Sequence, residues 1–119
     1  MNTIPLAVLG GFVMLNGRQI FLEISIIIIL ASGTALWLFG RSSYHVGASG
    51  LIFGYFGYLV LRAWYDRSLK SFVIAFVTVF LYGGIMWGLL PTFSRISWEG
   101  HLFGLLAGFL AARLEKTKE

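Results

Sequence analysis

Ile20-Phe21-Leu22-Glu23-Ile24-Ser25-Ile26-Ile27-Ile28-Ile29-Leu30-Ala31-Ser32-Gly33-Thr34-Ala35-Leu36-Trp37-Leu38-Phe39 is 20 residues with a single formal charge. A helix crosses the hydrocarbon core of a bilayer in about 20 mostly apolar residues. The run of β-branched isoleucines from Ile26 to Ile29 would also suit a strand. In lipid, however, only helices and closed barrels satisfy every backbone N–H and C=O. Barrel strands alternate apolar and polar residues, and this run is continuously apolar. The stretch therefore predicts a transmembrane helix.

The rest of the chain follows the same pattern. Phe72–Leu90 is a second full-length apolar run, ended by Pro91. Val46–Leu61 is shorter and is closed by Arg62. His101–Ala112 extends back through Trp98 and forward to Leu114, and Thr3–Leu15 gives a short first segment. These segments predict an all-α bundle of about five transmembrane helices, in one domain over residues 1–119. Composition agrees: 58% of the 119 residues are hydrophobic and 12% are charged, with mean hydropathy +0.85. Soluble domains carry about 25% charged residues. The formal charge of +4 does not indicate nucleic acid, because the cations punctuate apolar runs and form no patch. There is no cysteine, which excludes disulfides and thiolate metal sites. No His, Asp or Glu cluster has metal-ligand spacing, and no phosphate loop is present, so neither metal nor cofactor is expected.

Charge also orients the bundle. Arg18, Arg62, Arg67, Lys70, Arg113, Lys116 and Lys118 fall on one side of the membrane, and only Arg41 and Arg95 on the other. Basic residues concentrate on the cytoplasmic side. The expected topology places the N-terminus outside and the C-terminus in the cytoplasm. Tyr44, Trp37 and Trp98 then read as an aromatic belt at the outer boundary.

Two short motifs carry the chemistry: Gly47-Ala48-Ser49-Gly50 and Gly100-His101-Leu102-Phe103-Gly104. Each opens an apolar segment. Ser49 and His101 are 52 positions apart, about one crossing out and one back, so they meet near the same depth at the outer face. Serine with histidine is the smallest nucleophile-and-base pair. A helix N-terminus offers free N–H groups and a positive dipole end, which suit a developing oxyanion. Taken alone, Ser49 also fits a small packing residue or cap, and His101 a histidine bonded across helices. His45 reads as a loop residue. Glu99 reads as a carboxylate facing water at a helix start. Gly50, Gly54 and Gly57 lie on one helix face, and Gly104 and Gly108 share the face of His101. Such small-residue faces let two helix backbones come close.

The two motifs, in this order and two spans apart, resemble those of rhomboid intramembrane serine proteases. Gly47-Ala48-Ser49-Gly50 resembles the rhomboid nucleophile motif. Gly100-His101-Leu102-Phe103-Gly104 with Gly108 is similar to the sixth rhomboid helix. Trp98-Glu99-Gly100-His101 and Tyr82-Gly83-Gly84 resemble one bacterial branch. The resemblance covers essentially the whole chain as helices two to six of a six-helix core, lacking the first core helix and the loop after it. It implies Ser49 as nucleophile and His101 as general base, with no acidic third member. It implies an oxyanion hole from the Ser49 backbone N–H and from Asn2, whose family partner histidine falls before Met1. It also implies an aromatic at Phe53 packed on the histidine. The expected function is endopeptidase cleavage of transmembrane or juxtamembrane segments near the outer face of a bacterial plasma membrane. The expected partners are transmembrane protein substrates and the bilayer, with no nucleic acid. The alternative is a rhomboid-like protein that binds membrane clients without cleaving them. A small transporter or channel component would need more polar residues along the helices than are present.

Overall fold

The computed structural model describes residues 3–39, 47–84 and 98–117, without the side chains of Leu36, Phe39, residues 47–49, residues 98–100 and Thr117. Among the described residues, five helices follow one another: α1 (Thr3–Met14), α2 (Arg18–Phe39), α3 (Gly47–Asp66), α4 (Leu69–Tyr82) and α5 (Trp98–Thr117). No strand occurs among the described residues. The all-α bundle expected from the apolar runs is the architecture found.

The ends of the helices have local causes. After α1 the chain turns at Gly17, whose φ of 111° is readily adopted only by a residue without a Cβ. α3 runs to Asp66, past the Arg62 that was expected to close it. Arginine is a good helix former, and Arg62 finds an anionic partner on α5, so the charge does not end the helix. α4 starts at Leu69 because Ser68 caps it: the Ser68 hydroxyl accepts the Ser71 N–H at 3.1 Å. The same hydroxyl donates to Asp66 at 2.6 Å. The expected span Phe72–Leu90 begins inside this helix, and the described residues of that segment end at Gly84.

α3 is the central helix. Ile52 through Leu59 are buried without interruption, glycines included. A helix apolar and buried on all sides is a core element, enclosed by the others. α1 contributes Leu9 and Val13 to this core, α2 Ile24 and Ile28, and α5 Leu105, Ala107, Ala111 and Ala112.

α4 has the opposite character. It buries Ser71, Ile74 and Thr78, and it exposes Phe72, Phe76 and Phe80, the last at 78%. α2 likewise exposes Ile26, Ile29, Leu30 and Trp37. In water this would be a large unstable apolar surface; facing lipid tails it costs nothing. Two buried hydroxyls are satisfied within their own helices. Thr78 Oγ1 donates to the Ile74 carbonyl at 2.7 Å, and Ser32 Oγ to the Ile28 carbonyl at 2.5 Å.

Candidate active site at the heads of two parallel helices

His101 lies in the first turn of α5 and is 8% exposed. Its ring stacks on Phe53 of α3, with centroids 4.4 Å apart and planes 14° from parallel. Phe53 is itself buried. Residues four apart on a helix share a face, and the residue four before Phe53 is Ser49, in the first turn of α3. The Ser49 side chain lies outside the described residues, as do Asn2, His45 and the segment 85–97. The side chain of Glu99 lies outside them too.

The contact is possible because α3 and α5 approach backbone to backbone. A Cβ added to Gly108 would stand 2.0 Å from the Gly54 carbonyl oxygen, and one on Gly104 would stand 2.6 Å from that of Gly50. A Cβ on Gly57 would lie 2.8 Å from the Leu105 carbonyl oxygen. No side chain fits at such distances. The Cβ position of Gly54 points elsewhere: it meets Ile28 of α2, at 2.5 Å from Cγ2. Gly54 thus admits α2 with its missing side chain and α5 with its carbonyl.

At the other end of the same seam lies a polar cluster that the motifs did not reveal. Tyr58 and Arg62 of α3 face Glu115 of α5. The Tyr58 hydroxyl donates to Glu115 Oε1 at 2.8 Å and accepts from Arg62 Nη1 at 2.9 Å. Arg62 and Glu115 also form an ion pair. A signal for it exists in the sequence. Arg62 and Glu115 are 53 positions apart, against 52 for Ser49 and His101, so two charges in apolar helices had to fall at one depth. A second interhelical bond, Ser25 Oγ to Tyr55 Oη at 2.6 Å, joins α2 to α3.

A buried histidine is thus held against an aromatic across two neighbouring helices. The Rhomboid domain model matches residues 1–117. The chain belongs to the rhomboid family. Rhomboids are generally serine intramembrane proteases, and the membrane character of this bundle follows from the family. An uncharacterized protein of Mycobacterium tuberculosis is 39% identical over 127 residues, covering 99% of this chain and 53% of its own length. An uncharacterized protein of Mycobacterium bovis matches with the same figures. One of Mycobacterium leprae is 38% identical, with 50% of its length covered. This rhomboid chain therefore spans about half the length of the curated relatives it matches. No solved structure matches it.

Proposed function

We propose that this rhomboid is an intramembrane serine endopeptidase, with residues 1–119 forming one rhomboid-like transmembrane domain. Ser49 is the nucleophile and His101 the general base. The observation that carries this reading is the buried His101 ring stacked on Phe53, one turn along α3 from Ser49. Ser49 Oγ attacks the scissile carbonyl as His101 takes its proton. The backbone N–H of Ser49, unpaired in the first turn of a helix, donates to the oxyanion, and Asn2 supplies a second donor. His101 then returns the proton to the departing amine. Water hydrolyses the acyl-enzyme by the same steps in reverse.

The substrates are transmembrane or juxtamembrane segments of other membrane proteins, cleaved near the outer face of a bacterial plasma membrane. The N-terminus lies outside and the C-terminus in the cytoplasm, by the charge asymmetry. No cofactor enters the reaction.

A fluorophosphonate probe tests the dyad in membranes of cells producing the protein. Labelling is expected on Ser49, and it should be lost in both Ser49→Ala and His101→Ala. Model-substrate cleavage should fall at least about a thousandfold in Ser49→Ala. Cleavage that survives in Ser49→Ala rules the proposal out.

A further inference from the structure

The glycine seam brings α3 and α5 together, but it does not by itself say where along each other they stop. Its glycines repeat every four residues on α5 and at nearly that interval on α3. A slide of one turn, about 6 Å at 1.5 Å per residue, would set Gly104 beside Gly54 and Gly100 beside Gly50, so glycine would still face glycine. Backbone-to-backbone packing of this kind discriminates weakly between such neighbours. The polar cluster does not repeat. Tyr58 is fully buried, and the Arg62 and Glu115 side chains are 18% and 15% exposed. A one-turn slide would part Glu115 from both partners and leave a charge uncompensated in an apolar seam. Breaking a part-buried pair in this way is strongly unfavourable. A single buried polar position is the best-attested means of fixing helix register.

We infer that the Tyr58–Arg62–Glu115 cluster sets the sliding register of α5 on α3 and thereby holds His101 opposite Phe53. The three are positioning residues for the proposed dyad, acting from 14 residues down α5, about 21 Å along the axis. The helices are stiff and the seam leaves no slack, so an offset at one end appears at the other. An offset of about 1 Å between reacting groups can cost on the order of a hundredfold in rate.

The register itself can be read without any activity. The chain has two histidines, His45 and His101, so isotope-labelled histidine gives two ring signals in detergent micelles. Stacked at 4.4 Å on Phe53, the His101 ring protons are expected well upfield, and Phe53→Leu assigns that shift. Arg62→Met and Glu115→Gln should each remove at least half of it while helical circular dichroism is kept. Tyr58→Phe, which keeps the ion pair, should remove less. Arg62→Lys should restore most of it. An unchanged His101 shift in Arg62→Met overturns the inference; should that variant fail to fold, Glu115→Gln and Tyr58→Phe are read by the same criterion. Loss of fold in all three also overturns it, since the cluster is then a general stabiliser. In the second arm, fluorophosphonate labelling of Ser49 should slow about tenfold in Arg62→Met. Only this arm rests on the proteolytic reading. A protein that never labels defeats that reading and leaves the ring shift to decide the register.

Discussion

The seam between α3 and α5 and the outer wall formed by α2 and α4 are built from the same apolar residue types and obey opposite rules. In the seam, space is the limiting quantity. Gly104 and Gly108 stand where even a methyl group would overlap backbone, and Glu115 of α5 is bonded to Tyr58 and Arg62 of α3 across the seam. On the wall, space is free. Phe76 and Phe80 extend outward, Gly33 has nothing within 4 Å of a notional Cβ, and the Ser32 and Thr78 hydroxyls bond within their own helices. Hydrophobicity does not separate the two regions, because lipid is as apolar as leucine. Size does. The difference teaches that in this bundle the glycines aligned along α3 and α5, not apolar content, mark the faces that pack closest.

The largest expected effect breaks the seam. Gly108→Ala places a Cβ 2.0 Å from the Gly54 carbonyl, and neither backbone can yield without moving a helix. Overpacking costs about 1–3 kcal/mol and occasionally more, and rigid neighbours on both sides put this variant at the upper end. Unfolding in detergent, followed by circular dichroism, measures it. A loss under about 0.5 kcal/mol would show that the seam has slack and would remove the contrast with the wall.

On the wall the sign reverses. Gly33→Ala in α2 meets no neighbour and replaces a helix-weakening residue with the strongest helix former. The expected gain is about 0.4–1 kcal/mol, read in the same assay. A loss there would mean that α2 is covered by another part of the protein.

The smallest effect concerns neither region but the link that joins α3 to α4. Hydrogen bonds from Ser68 and Ser71 hold the Asp66 carboxyl below its ordinary value. A depressed carboxyl stabilises the fold fully above its unfolded value of about 3.9, and that contribution is lost as pH falls through the lower folded value. Between pH 5 and pH 2 the wild type should therefore lose slightly more stability than Asp66→Asn. Parallel pH curves for the two proteins would show that the carboxylate adds nothing beyond the Ser68 cap.

Much of this was legible in the chain, for physical reasons. Long apolar runs have one solution in lipid, so five helices could be read from hydropathy. The place of His101 at a helix head followed from Gly100-His101-Leu102-Phe103-Gly104, and its neighbour Phe53 from the family resemblance. Three things were not legible. Arg62 reads locally as a terminator, because a charge after an apolar run usually marks the membrane boundary; its partner lies 53 residues away, beyond any local pattern. The early start of α4 at Leu69 depends on a cap that Ser68 shares with Asp66, and hydropathy is blind to caps. The role of Gly54 toward α2 was hidden because spacing assigns a residue one face, whereas a glycine has no side chain to assign.

The order of the helices along the chain has a consequence for biosynthesis. α3 carries Ser49, and the helix that carries His101 follows it by way of α4. A ribosome adds about 5–20 residues per second, so for several seconds α3 sits in the membrane before α5 has been made. During that interval the proposed nucleophile has no base, and the seam of Gly50 and Gly54 has no partner to close on. On the proposed reading, a rhomboid assembled in this order is silent while its chain is being threaded into the bilayer, and the proposed dyad is complete only when α5 docks.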